Sequence, residues 1–514
     1  MNSTEKFRDE YVTDVTYTMN YKLELNPLNI QFNFLCAGLR PPEIKTACEL
    51  GFGQGLTINF HASGSNIRWY GNDFNHKHYL FADELAKASK SDCVLTPESF
   101  QDFCNKPDLP NFDFIGLHGI WSWINDENRD IILDFIKKKL NPKGVAYISY
   151  NAFPGLIDTL PIKKLLSDYY NELPEEQDTT EKVVQSIQFL DGFFDLNPEI
   201  IRSFPNLTKK LALIKTQPKH YLAHEYFNKH WRPFYFTEIH ALLEPLGLNY
   251  AAPAYLIDLF KNLFLTDEQH QFIEETESAK NKQNFIDKII NRQFRAEYWV
   301  KELEPLEEDE YHTLIANIGL LAIKPVENVE FVFATYTGQA EVNTKVAKCI
   351  LEELAAFEVK TIGDIHRAHQ DKDISLNDIA TIAALLVYKK DIALVQNSDQ
   401  SLEIEYKCKN INTFIMARSI LSDDINFMVS PKTGSGFFVN NIEQLYILAR
   451  TRGLKTPEEW VKFAWDVNLW RSGHILDDKA GSTFPTDLNG TEMIEHAIDW
   501  EKNRLPILKA LVIA

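Results

Sequence analysis

Residues 47–62 read ACELGFGQGLTINFHA. An apolar segment ends at Glu49, three glycines follow on alternate positions (Gly51, Gly53, Gly55), and an apolar-rich run resumes at Leu56. Glycine adopts positive φ without steric cost and lets another group press close to the backbone. Strand, glycine-rich turn and helix in this order make the phosphate or nucleoside cradle of open α/β sheets. A dinucleotide fingerprint would place its third glycine at position 56, which is Leu56. The spacing here is instead E-x-G-x-G-x-G.

The residues downstream extend the pattern. NIRWYGNDFN puts Asp73 behind a β-rich segment, where an acidic residue of an α/β nucleoside site accepts hydrogen bonds from both ribose hydroxyls. SDCVLTPESFQDF offers a third strand and a turn, with Ser99 and Phe100 placed to border an adenine. Phe112 to Leu117 read as a fourth strand, with His118 and Gly119 at its carboxyl end. A helix follows, with Asp126 near its N-terminus, an apolar stripe of Ile131, Ile132, Phe135 and Leu140, and lysines near its C-terminus. VAYISYNAFPG is a fifth strand ending at Asn151. Repeated β-α units of about 25 residues predict a parallel sheet that binds its ligand at the strand carboxyl ends.

These stretches together resemble the class I S-adenosylmethionine-dependent methyltransferases of bacteria that carry a methyltransferase regulatory domain. The rickettsial-type lysine methyltransferases of outer-membrane proteins belong to that family. The resemblance rests on YVTDVTYTMNYKLELNP, ACELGFGQG, WYGNDFN, FIGLHGIWSWI, YISYNAFPG, YLAHEYFNKHWRPFYFTEIHALLEPLGL and NRQFRAEYW. It covers roughly residues 10–300 well and the C-terminal third loosely. It implies an α/β fold, a class I methyltransferase (Rossmann-like) sheet, with S-adenosyl-L-methionine as cofactor. Glu49, Gly51, Gly53 and Gly55 would then line the methionine and ribose end, Asp73 the ribose, and His118 and Gly119 the space beneath the sulfonium. YTMNY lacks the proline beside Tyr17 found in lysine-modifying members, so the acceptor is less defined than the cofactor.

Methyl transfer from a sulfonium is an in-line displacement, so positioning supplies much of the rate, and a dry aromatic wall suits a charge that disappears in the transition state. Trp121, Trp123, Tyr150 and Phe153 lie at or just past strand ends and are candidates for that wall; Trp121 and Trp123 read equally well as core. Asn151 closes the fifth strand beside them. A lysine acceptor, with an ordinary pKa of about 10.4, must lose a proton before it attacks. His118, His224 and Glu225 are the candidate bases or orienting groups.

Four segments are expected. Residues 1–257 form the methyltransferase domain, with a helical insertion at about 157–232 over the cofactor mouth. Residues 258–325 form a helical linker or regulatory segment. Residues 326–410 form a winged-helix-like module of three helices and a β-hairpin made by DIALVQ and LEIEYK. Residues 411–514 are mainly helical, with Trp460, Trp465, Trp470 and Trp500 spaced as core residues.

The chain has 514 residues, enough for two or three domains, and a formal net charge of −20. That charge disfavours nucleic acid, and the third helix of the winged-helix-like module is poor in the basic residues phosphate contacts need. No apolar run of about 18 residues and no N-terminal h-region occurs, so neither membrane insertion nor a secretory signal is expected, and the cytoplasm is the expected location. Six scattered cysteines fit free thiols in a reducing compartment. The pairs His76/His78 and His366/His369 lack cysteine or acidic neighbours at zinc spacing and read as surface residues; no metal is expected.

The reading that follows is a methyltransferase acting on protein lysines, with a surface or outer-membrane protein among the acceptors the resemblance suggests; a homodimer is compatible with the sequence. Two alternatives stay open. One is a small-molecule or glycan O- or N-methyltransferase with His224 and Glu225 as base. The other is a non-catalytic scaffold that binds a cofactor or partner.

Overall fold

A computed structural model of the chain describes residues 19–396, 402–474 and 490–514. Tyr17 and the rest of the N-terminal stretch up to residue 18 lie outside the described residues.

The central layer is a seven-stranded sheet in the order β3-β2-β1-β4-β5-β7-β6. Its strands are β1 (Thr46–Leu50), β2 (Arg68–Asn72), β3 (Val94–Thr96), β4 (Phe112–Leu117), β5 (Leu140–Asn151), β6 (Asn249–Pro253) and β7 (Phe294–Val300). β1 to β5 run parallel, and β7 runs antiparallel to both of its neighbours. Central strands covered on both faces are continuously apolar, and β1, β4 and the run of β5 from Gly144 to Tyr150 are buried along almost all their length. This is the expected Rossmann-like sheet, with every connection from β1 to β5 passing through a helix.

Two strands differ from expectation. The segment 258–325, read as helical, contributes β7 to this sheet, between β5 and the edge strand β6, and a further strand at Gly319–Ala322. β7 is hard to recognise because charged residues alternate along it: Arg295 and Glu297 are both buried. They are held in a network in which Arg295 Nε donates to Glu297, Arg295 Nη1 donates to Asp287 at 2.5 Å, and Arg292 pairs with Asp258 at 3.0 Å. A buried charge persists only when it is paired and hydrogen-bonded, so hydropathy alone hides the strand.

The helical insertion is present as Thr159–Glu172, Thr179–Asp195, Glu199–Ser203, Asn206–Thr216 and Lys219–Phe227. It has its own apolar core, built around Ile162, Leu166, Val183, Leu190, Leu211 and Leu222.

Beyond the sheet, β8 (Gly319–Ala322) joins β11 (Lys360–Thr361) and β12 (Ile392–Val395) in a three-stranded antiparallel sheet, while β9 (Val332–Ala334) pairs with β10 (Gln339–Glu341). Three helices, Thr344–Leu354, Ile362–Ala368 and Leu376–Tyr388, pack with it. The expected hairpin of DIALVQ with LEIEYK does not form. β12 pairs with β8, and LEIEYK opens a helix, Leu402–Arg418. Its buried residues Ile404, Lys407, Cys408, Ile411, Asn412, Ile415 and Met416 recur at helical spacing, which outweighs the strand-like alternation of its first residues.

The C-terminal region adds the hairpin β13 (Phe427–Ser430) and β14 (Ser435–Phe438) and further helices. Its core takes in Leu56, Phe60, Phe81 and Leu85 from the helices that follow β1 and β2. Trp460 and Trp500 are core residues, whereas Trp465 and Trp470 are exposed and correct the expectation for those two. The contact is backbone-close: a Cβ on Gly64 would lie 2.7 Å from Gly434 Cα. Gln396 Nε2 donates to the Gly64 carbonyl and Asn26 Nδ2 to the Gly434 carbonyl, each at 2.9 Å. Among the described residues no helix is long and apolar enough to cross a membrane.

Candidate functional site

At the carboxyl end of β1 the chain turns through Gly51, Gly53 and Gly55 with φ of 67°, 59° and 72°. Three glycines serve two purposes here. A Cβ on Gly51 would lie 2.6 Å from the Ile120 side chain, and one on Gly55 would lie 2.4 Å from Ala82 Cβ, so these two allow close packing inside the protein. A Cβ on Gly53 would meet nothing within 4 Å. Gly53 faces a cavity of about 660 Å³ at the strand ends.

That cavity gathers most of the residues singled out in the sequence: Glu49, Gly51, Gly53, Gly55, Asp73, Ser99, Phe100, His118, Gly119, Trp123, Asn151, His224 and Glu225. Trp121 and Tyr150 are not among its lining residues. Trp121 is wholly buried in the core beneath β4 and β5, and the Tyr150 hydroxyl turns to Glu297 at 3.3 Å. Phe153 packs on Tyr235, ring centroids 4.9 Å apart, and is not among the lining residues either.

One end of the cavity is acidic. Glu49 is buried, and one of its carboxylate oxygens has no hydrogen-bond partner among the described residues. Burial, with Asp73 nearby, pushes its pKa from 4.5 up to about 8. Asp73 receives Gly53 N–H at 2.8 Å on one oxygen and Asn75 N–H at 2.9 Å on the other. Ser99 caps the short helix Phe100–Cys104 and donates to Asp102 at 2.7 Å, so its hydroxyl is committed to the turn that aims Phe100 at the cavity.

Beyond the glycines, His118 follows β4. Its Nδ1 lies 2.7 Å from the Tyr147 hydroxyl and its ring stacks on Tyr147. Burial and the Lys22 charge hold its pKa well below 6.5, so the imidazole is neutral. Gly119 N–H donates to Ser149 Oγ at 2.8 Å.

The insertion closes the far side. Its last helix, Lys219–Phe227, brings Tyr221, His224 and Glu225 to the cavity wall, and Trp123 stacks on His224 with ring centroids 6.3 Å apart. Burial raises the pKa of Glu225; the Lys163 charge and the adjacent Trp231 and Asn151 side chains oppose the rise. Lys163 Nζ donates to the backbone carbonyls of Glu225 and Tyr226 at 3.0 and 2.9 Å and lies over the Trp231 ring. Burial lowers its pKa to about 7.

Sequence reading missed Lys22, His78, Lys163 and Tyr221. Lys22 is strapped to the glycine-loop helix through its N–H to Thr57 Oγ1 at 3.1 Å. His78 and His369, expected at the surface, are buried, and each faces a carboxylate: Asp73 at 3.3 Å and Glu353 at 3.4 Å. A histidine on the first turn of a helix after a strand-end aspartate was the available signal for His78. Among the described residues no group of three or more His, Cys, Asp or Glu side chains is arranged to hold a metal ion.

Residues 218–301, from the last insertion helix through β7, match the family model described as a predicted methyltransferase regulatory domain. An uncharacterized protein of Synechocystis sp. is 29% identical over 99% of this chain and 100% of its own length. An uncharacterized Rickettsia prowazekii protein is 28% identical over 37% of this chain and 77% of its own. The solved structure of PKMT2 from Rickettsia typhi in complex with AdoHcy superposes with a TM-score of 0.67 at 17% identity, covering 97% of this chain and all of that one. The chain therefore shares its fold, a class I methyltransferase sheet with a helical insertion and a mainly helical C-terminal region, with the rickettsial PKMT2 from end to end.

Proposed function

We propose that this protein is an S-adenosyl-L-methionine-dependent methyltransferase that modifies lysine side chains of a protein. The observation that carries the reading is one cavity with two unlike ends. A glycine-and-carboxylate cradle lies at the strand ends, and a Glu225–His224–Tyr221 wall on the insertion helix faces the same space. The likeness in fold to a PKMT2 solved with AdoHcy, and the match of residues 218–301 to a methyltransferase regulatory domain, support the same reading.

The residues present fit the cofactor. Gly53 leaves bare backbone open to the cavity, Asp73 stands one strand over, and Glu49 keeps a buried oxygen for a donor. Glu49 would hold the methionine or ribose end and Asp73 the ribose hydroxyls. When bound, S-adenosyl-L-methionine supplies a methyl group on a positively charged sulfur. Neutral His118 adds no positive charge beside that sulfur, and Trp123 and Ile124 help exclude water.

On the acceptor side, an arriving lysine ammonium lies against Glu225, whose carboxylate oxygen takes its proton. Burial strengthens Glu225 as a proton acceptor, since it disfavours the charged form. Trp123 and Tyr221 offer aromatic faces to the cationic head, an interaction worth about 0.5–2 kcal/mol.

The test is incubation of the purified protein with methyl-labelled cofactor and a cell lysate. Label that survives acid hydrolysis as methyl-lysine supports the reading. Label found in small molecules, or no transfer at all, overturns it.

A further inference from the structure

The buried imidazole of His78 has no place in the reading so far. It stands on the first turn of the helix His76–Ser89, whose N-cap is Asn75. Its Nδ1 lies 3.3 Å from Asp73 Oδ1, the oxygen that also receives Asn75 N–H. Both side chains are about nine-tenths buried or more, and both residues line the cavity that Gly53 faces. A carboxylate only accepts, so the contact requires the proton on Nδ1 and leaves Nε2 as an acceptor in the neutral ring. Nε2 is buried with no partner among the described residues. A leucine would fill the same space without burying an unpaired nitrogen. What the imidazole adds is a donor at Nδ1, aimed at one oxygen of one carboxylate.

We propose that His78 is a positioning residue for nucleoside recognition. Its Nδ1–H, with the Asn75 and Gly53 amides, fixes the plane of the Asp73 carboxylate so that the edge left towards the cavity meets the hydroxyls of a ribose. The ligand class is a ribonucleoside, read through its diol rather than its base. Three donors on two adjacent turns hold one carboxylate in a single orientation, which removes the rotational freedom binding would otherwise have to freeze. This inference rests on the assignment of Asp73 to the ribose under the proposed function.

The experiment is titration calorimetry of the full chain with S-adenosylhomocysteine and with its 2′-deoxy analogue. The variants are His78→Leu, His78→Asn and His78→Gln. The amide nitrogen of asparagine falls near the position of Nδ1, and that of glutamine near Nε2. Wild-type protein binds the ribonucleoside more tightly than the deoxy form, by about tenfold or more for a hydrogen bond to a charged group. H78L and H78Q bring that ratio close to one, and H78N keeps most of it. Should H78L fail to fold, the H78N and H78Q pair decides alone. Variants that weaken both ligands equally and retain the wild-type ratio would show a merely structural histidine and overturn this inference while leaving the proposed function standing. Wild-type protein that binds neither ligand overturns both.

Discussion

Replacing Glu49 with glutamine should stabilise the free protein while removing its hold on the cofactor. Glu49 is buried at the end of β1, and burial followed by the Asp73 charge raises its pKa from 4.5 to about 8. The unfolded chain ionises this carboxyl near 4.5, but the folded chain resists until about pH 8. Stability is therefore fully present below the unfolded value and is lost as pH rises through the folded one. At 1.36 kcal/mol per pKa unit, the wild type should lose on the order of 3 kcal/mol through this group between about pH 6 and about pH 9. Glutamine does not titrate, so the stability difference between Glu49→Gln and wild type should widen by that amount over the same interval. The assay is urea unfolding of both proteins at a series of pH values, following the transition that includes the sheet, with midpoints compared at a common slope. A difference that stays flat over this range would refute the argument, because Glu49 would then not be titrating there. The same substitution should weaken S-adenosylmethionine, and binding to wild type near pH 7 should release a proton as Glu49 ionises. Calorimetry in buffers of different ionisation enthalpy measures that release.

Four further substitutions test single positions. Gly53→Val should abolish cofactor binding while leaving the fold intact apart from the cost of a positive φ, about 1–2 kcal/mol; Gly55→Ala should instead lower the melting temperature, because its Cβ would lie 2.4 Å from Ala82 Cβ. Measuring both properties for both variants checks the division of labour among the glycines. Glu225→Gln should reduce kcat by about 10²–10⁴-fold with cofactor affinity unchanged, and an unaltered single-turnover rate would return Glu225 to a structural role. Arg295→Ala should cost about 3–5 kcal/mol of stability, since it leaves Glu297 buried without its cation and Asp287 with Arg292 alone; denaturation midpoints read this directly.

How far the sequence discloses this architecture depends on whether local pattern or distant partners decide an element. β1 to β5 and the glycine turn are legible because apolar runs, strand-end residues and helix caps each carry their own signal, and Glu49, Asp73 and His118 fall where strand ends put them. β7 is obscured because Arg295 and Glu297 are intelligible only with Asp287 across from them. The helix at Leu402 is obscured at its start, where LEIEY alternates like a strand before the helical period shows. Trp121 and Trp123 sit two residues apart in the same turn, yet one is core and the other faces the cavity; no spacing rule separates them. His78 is missed for a related reason, because whether a histidine near a helix start is wet or buried depends on the aspartate it meets.

The near-contact of Gly64 with Gly434 has a consequence for how the protein comes into being. The helix that springs from the glycine turn is synthesised early, yet its outer face, apart from its contact with Tyr21, packs mostly on residues that lie far downstream in the chain. Until those are made, that helix lacks the larger part of its apolar cover around Phe60. A nascent chain halted before the β13–β14 hairpin would hold the cradle's sequence without its mature support, so competence to bind a nucleoside should arrive late and all at once.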